Sequence, residues 1–241
     1  MSRRRSPLIA LLGAGLLAAG ALTGCATGAS SSPAETGPSP DATTPAPGSE
    51  TGAAWVEAGR SIAVVTWGSS SCVPRASGVP SVVDGALTVT LDEAQQDVCT
   101  ADFAPRATLI PVPAGVDATA DLTVKVTGAA EGTVTLRGLK NVPTDGEQFV
   151  PSAGWVDSSL VAIVTYGSSS CVPAVQAVSS AGDDVEVQFA TPPADQVCTM
   201  DYAPRVSLAD IGREAGEGDV SLVLSGGGVA SSGPIPVLGT R

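Results

Sequence analysis

The sequence predicts an all-β protein: two tandem, small antiparallel β-sandwich or barrel domains, each with one disulfide, following a disordered stalk. Three observations lead there. Short apolar runs rich in β-branched residues recur along the chain, separated by Gly, Pro and Asp. No long stretch shows helical periodicity. A pair of motifs also occurs twice at one fixed offset, which marks a duplicated unit.

Gly68-Ser69-Ser70-Ser71-Cys72-Val73-Pro74 recurs unchanged at Gly167 to Pro173. Val98-Cys99-Thr100-Ala101-Asp102-Phe103-Ala104-Pro105-Arg106 recurs as Val197-Cys198-Thr199-Met200-Asp201-Tyr202-Ala203-Pro204-Arg205. Both pairs are offset by 99 residues, whereas Trp55-Val56 and Trp155-Val156 are offset by 100, so one indel lies between them. The repeats are placed at 51–147 and 148–241, and each is expected to fold alone. The connector around 141–153 is polar and contains Pro and Gly.

Residues 62–67 and 161–166 read as short strands buried on both faces. Residues 87–91 and 185–189 alternate with period two, as half-solvated strands do. Further strands are expected at 107–112, 122–126, 133–136, 206–208 and 220–224. About ninety residues make a domain small enough to need a staple. Each repeat has two cysteines 27 positions apart, and duplication favours the local pairings Cys72–Cys99 and Cys171–Cys198. A loop of that length is worth about 3–4 kcal/mol in chain-entropy terms. His is absent and no CxxC knuckle occurs, which disfavours a metal site; no cofactor is expected.

The triple-serine stretches read as tight turns, because no histidine is present to activate a nucleophile. Six of the eight aromatic residues fall at matched positions: Trp55/Trp155, Trp67/Tyr166 and Phe103/Tyr202. Packing around the disulfide is the favoured reading for them, and a ligand platform is the alternative, with Trp67 and Tyr166 nearest an edge. Asp102 with Arg106, and Asp201 with Arg205, are expected to pair and brace the loop after each second cysteine. Arginines reaching out to an anionic ligand are the alternative. Trp67, Asp102, Arg106, Tyr166, Asp201 and Arg205 are therefore the candidate binding residues, with no catalytic set.

At the start of the chain, Arg3, Arg4 and Arg5 precede an apolar core at 8–22, too short to span a bilayer as a stable helix. Leu22-Thr23-Gly24-Cys25 follows. This resembles the lipobox of bacterial lipoprotein precursors. The resemblance implies a signal peptide at 1–24, cleavage after Gly24, and diacylglycerol on the Cys25 sulfur. Two acyl chains suffice for stable attachment where one does not. The segment 25–50 is Ser/Thr/Pro/Gly/Ala-rich and expected to be a disordered stalk. The tandem repeat is similar to uncharacterised actinobacterial lipoproteins, which implies no activity; the Arg-, Ala- and Gly-rich composition fits a high-GC genome.

The formal charge is −12; without Arg3 to Arg5, nine basic residues face twenty-four acidic ones, giving −15. Such a surface repels phosphate backbones, so nucleic acid is excluded as a partner. Repeat 2 is the more acidic, at −7 against −5. The expected function is a non-enzymatic binding module for a cell-wall or protein ligand, lipid-anchored at the outer face of the cytoplasmic membrane. The alternatives are a carboxylate-dependent hydrolase using Asp102 and Asp201, and a structural spacer or proteinase inhibitor. Cys25→Ser is expected to move the protein from the detergent phase to the aqueous phase on partitioning. Wild-type protein found in the aqueous phase would contradict the anchor.

Overall fold

The computed structural model describes residues 50–142, 148–229 and 231–241. The expected signal peptide, Cys25, the stalk up to residue 49 and the expected repeat boundary at 147/148 lie outside the described residues. The described chain is all-β. Its strands are β1 (Gly52–Val56), β2 (Ser61–Gly68), β3 (Arg75–Val83), β4 (Ala86–Asp92), β5 (Ala104–Pro111), β6 (Leu122–Gly128) and β7 (Gly132–Leu136) in the first repeat. The second repeat carries β8 (Ser152–Trp155), β9 (Leu160–Gly167), β10 (Val175–Ala181), β11 (Asp184–Phe189), β12 (Ala203–Asp210), β13 (Ser221–Gly226) and β14 (Ile235–Leu238). One 3-10 turn, Glu57–Gly59, joins β1 to β2. Among the described residues no helix is long and apolar enough to cross a membrane.

In the first repeat the order β1-β2-β5 forms one sheet and β3-β4-β6-β7 another. Between them lies a core of Trp55, Ile62, Val64, Leu87, Val89, Leu91, Ile110, Val124 and neighbouring residues. The second repeat uses the same parts in the same order, with Trp155, Val161, Ile163, Val187, Phe189, Leu222 and Leu224 in its core. There the sheets are continuous, in the order β10-β11-β13-β14-β8-β9-β12, because β14 bonds both β13 and β8.

The expected all-antiparallel pairing fails at three places. β4 runs parallel to β6, β11 to β13, and β14 to β8. A parallel neighbour needs a crossover, which a hairpin cannot supply. After β4 the chain crosses to the other sheet as β5 and returns as β6, so β5 is the crossover; β12 serves the same purpose between β11 and β13. Gly128 and Gly226 end the returning strands at positive φ, packed against the backbone of Leu91 and Phe189, where no Cβ would fit.

Apart from the doubly buried β2 and β9, the strands that escape the period-two pattern are exposed or short ones. β3 is almost wholly solvent-facing, contains Gly78 and Pro80, and slips register between Ser77 and Ser81. Pro and bulges belong to sheet edges, and β3 is an edge. β10, at another edge, is likewise mostly exposed and slips register between Val175 and Ala177, without a Gly or Pro.

The two repeats belong to one compact unit and share a third core. Ala54, Val56 and Ala63 of the first meet Ala162 and Val164 of the second, flanked by Leu109, Val206 and Leu208. β2 therefore sends Ile62 and Val64 into its own core and Ala63 into the interface; β9 divides Ile163 from Ala162 and Val164 in the same way. Both repeats offer the same face, so equivalent strands confront each other, as in an isologous dimer. The sequence duplication has become an internal pseudo-two-fold.

At the interface, a Cβ added to Gly154 would overlap the Trp55 carbonyl oxygen and press on Ala54. Gly154→Val is expected to destabilise the protein by about 1–3 kcal/mol or more, as overpacking of a closed core does. Gly216→Ala, in open space, is the control and is expected to stay within about 0.5 kcal/mol. Chemical denaturation of both variants checks this.

Candidate functional site

The duplicated motifs lie where β2 and β9 end. Gly68 and Gly167 close those strands, and a turn follows in which the Cys72 amide donates to the Ser69 carbonyl, and that of Cys171 to Ser168, each at 3.2 Å. The serines thus form the tight turn expected of them. Cys72 is bonded to Cys99 and Cys171 to Cys198.

The arginines do not pair with the aspartates. Arg106 donates from Nη1 to the Cys72 carbonyl at 2.7 Å and from Nη2 to the Trp67 carbonyl at 3.2 Å. Arg205 does the same to Cys171 at 2.9 Å and Tyr166 at 3.0 Å. Each guanidinium lies against the strand-ending glycine: a Cβ on Gly68 or Gly167 would stand 2.7 Å from the guanidinium carbon. That explains a glycine at both positions. Hydrogen bonds from a charged donor are worth about 1.5–3 kcal/mol each, so the arginines brace the loop, through carbonyls rather than carboxylates. The fork reaches the two carbonyls on either side of the serine turn, and a carboxylate four residues back on the other arm of the loop is not in its path. Thr108 and Ser207 add bonds to the Pro74 and Pro173 carbonyls, at 2.8 and 2.6 Å.

Asp102 and Asp201 cap the turn instead. Asp102 accepts from the Ser70 amide at 3.1 Å and from the Thr100 hydroxyl; Asp201 accepts from the Ser169 amide at 3.1 Å and from the Thr199 hydroxyl. The Thr100 amide donates to the Ser71 hydroxyl at 2.9 Å, knitting the two arms beside the disulfide. The Ser70 and Thr100 hydroxyls, then the Ser70 amide, hold Asp102 down at about 2, and the matching groups do so for Asp201.

The six matched aromatics divide. Trp55 and Trp155 are core residues; the Trp55 indole donates to the Arg137 carbonyl, and Arg241 lies over the Trp155 ring at 5.4 Å. The other four are not buried around the disulfide. Phe103 is 67% exposed and Tyr202 is 65% exposed. They stack on half-buried Trp67 and Tyr166, with ring centroids 5.7 and 5.9 Å apart. Phe149, which the sequence reading passed over for want of a partner in the other repeat, packs edge-on against Tyr166 at 5.5 Å.

The two platforms are not identical. Tyr166 donates its hydroxyl to Glu57 of the first repeat, and the Glu57 amide is bonded to Ser152 Oγ at 2.9 Å. Burial, followed by the Glu57 bond and charge, raises the Tyr166 pKa above its ordinary value. At the pseudo-symmetric position Trp67 has no hydroxyl, and Asp157 turns back to cap its own turn at Ser159 and Leu160. Trp67, Asp157 and Val156 instead line a hollow of about 280 Å³.

A larger cleft, about 910 Å³, opens between the repeats, with equivalent residues on its two walls. Ser70, Arg106 and Leu109 face Ser169, Arg205 and Leu208. Among the described residues no group of three or more His, Cys, Asp or Glu is placed to hold a metal ion. Comparisons with protein-family models, with curated proteins and with solved structures return no match.

Depressed carboxylate pKa values make a defined pH signature. Each contributes stability that is present above the unfolded value of about 3.9 and lost as pH falls towards about 2. The thermal midpoint of the wild type is expected to fall across that window. Asp102→Asn with Asp201→Asn is expected to show a lower midpoint at neutral pH and a flatter acid limb.

Proposed function

We propose that this protein is a lipid-anchored binding module at the outer face of the cytoplasmic membrane, tethered by diacylglycerol on Cys25. On this reading the repeats are two small β-sandwiches back to back, and they perform no catalysis. The observation that carries it is an aromatic pair, one ring exposed and stacked on a half-buried one, built twice at equivalent positions beside loops held by a disulfide, an arginine clamp and a capped turn. Rigid, stacked aromatics facing solvent are inexpensive in conformational entropy and give large contact area, which is what a ligand platform needs. Two platforms on one rigid body suit a repetitive envelope ligand, since the second contact is made at high effective concentration.

A carboxylate-dependent hydrolase is the weaker reading. A general acid at neutral pH needs a raised pKa, and a base is most effective with a pKa near the working pH. Asp102 and Asp201 are moved the opposite way, by hydroxyl and amide donors that favour the ionised form.

Trp67 is half-buried while Trp55 and Trp155 are core residues, so a ligand-induced emission change reports on Trp67. Titration of the protein with soluble fragments of purified cell envelope is expected to change that emission saturably. Phe103→Ala with Tyr202→Ala is expected to weaken binding about ten-fold or more, as loss of aromatic anchors does. A wild-type protein that neither responds nor co-sediments with intact envelope would overturn the reading.

A further inference from the structure

The cleft between the repeats has a charge that the rest of the chain does not. Beyond Cys25 the sequence has nine basic and twenty-four acidic residues, yet the cleft is lined by Arg75, Arg106 and Arg205 and by no Asp or Glu. The acids of the same loops, Asp102 and Asp201, are outside the lining and already accept from turn amides and hydroxyls. Asp92 stands opposite Arg75 in the β3–β4 register and is likewise outside the lining.

Arg106 and Arg205 are only partly satisfied. Two of the five N–H donors of each go to main-chain carbonyls, and Nε of each is sealed from solvent with no acceptor. No carboxylate among the described residues pairs with either. Carbonyls satisfy donors but leave the charge uncompensated, and an uncompensated cation in a partly desolvated site is costly. Burial lowers the Arg205 pKa, the mark of that cost. The same arrangement occurs once on each wall, related by the internal pseudo-two-fold. Serine hydroxyls at 70, 71, 169 and 170 add neutral donors beside them, and Val73, Leu109, Val172 and Leu208 supply apolar surface.

We propose that this cleft is a binding site for an anionic ligand carrying two oxyanion groups, phosphate or carboxylate, on a partly apolar body, one group for each arginine. With Nε sealed and one N–H of each terminal nitrogen given to a loop carbonyl, the second N–H of Nη1 and of Nη2 is left to donate, and such charged donors suit both kinds of oxyanion. The acidic surface excludes extended polyanions but leaves a local positive field to draw a small one in. This site is separate from the aromatic platforms, so it stands or fails independently of them.

The test uses the full chain in detergent and two probes, pyrophosphate and citrate, at matched ionic strength so that general screening is constant. Substituting Arg106 or Arg205 removes loop braces, so the readout is the wild-type NMR signal of the arginine Nε–H groups. Saturable movement of the Arg106 and Arg205 signals, with Arg137 and Arg213 unmoved, is the expected result. Arg75→Gln is expected to weaken that binding about two- to five-fold, the loss of one exposed charge contact. Response to pyrophosphate alone assigns phosphate, and response to citrate alone assigns carboxylate. Response to neither probe, or a drift of all arginine signals together, overturns the proposal.

Discussion

The burial of β2 and β9 on both faces is the constraint on which the rest of this structure depends. Each strand places alternate side chains in its own repeat's core and in the shared interface. A fully buried Val or Ile contributes about 1.5–3 kcal/mol relative to exposure; these strands bury Ile62, Val64, Val161 and Ile163 in their own cores and Ala63, Ala162 and Val164 in the interface. Shifting either strand by one residue would exchange its two faces, putting Ala63 where Ile62 and Val64 must fill space. The register is therefore fixed from both sides. With it are fixed the strand ends at Gly68 and Gly167, and so the positions of both cysteine loops.

From that fixed strand end the loop is built by local chemistry. The arginine side chain returns from β5 or β12 to hold the carbonyls before and after the serine turn. The disulfide joins the turn to the second arm, and the aspartate caps the turn's amide. Polar groups and sulfur thus hold the loop from within, and the aromatic side chains of the second arm are left outside, stacked on Trp67 and Tyr166, the residues before each strand-ending glycine. A loop held by its own bonds can present an exposed ring without collapsing onto it. This is how Phe103 and Tyr202 come to lie exposed, over half-buried Trp67 and Tyr166, in a protein with so few aromatics.

Duplication followed by divergence is visible in single residues. Tyr166 has a hydroxyl and finds Glu57; Trp67 has none, and Asp157 caps its own turn. Repeat 2 thereby gains a bond to repeat 1 and a third ring from Phe149, while repeat 1 keeps an open hollow beside Trp67. The pseudo-symmetric cleft, in contrast, retains matching residues on both walls, with Arg106 opposite Arg205 and Ser70 opposite Ser169.

The sequence by itself determined the all-β class, the duplication, the disulfide pairing and the strands with strong patterns. Those are properties of local residue order: β-branched runs, period two, and a cysteine spacing repeated at a fixed offset. The double-sided burial of 62–67 and 161–166 was legible for the same reason, since a strand with no polar face must have two apolar neighbours. Edge strands such as β3 escaped because an exposed strand needs no apolar alternation, and Gly78 and Pro80 are residues that ordinarily interrupt strands. Only the tertiary structure decided the parallel pairings, because whether β5 returns to the same sheet or crosses to the other depends on which faces bury one another. It also moved Arg106 and Arg205 from aspartates to carbonyls: spacing along the chain placed Asp102 near, but the fork meets whichever acceptors the fixed strand end presents. The acid-free cleft belongs wholly to the fold, for its walls are about 99 residues apart in sequence and meet only because both repeats bury the same face.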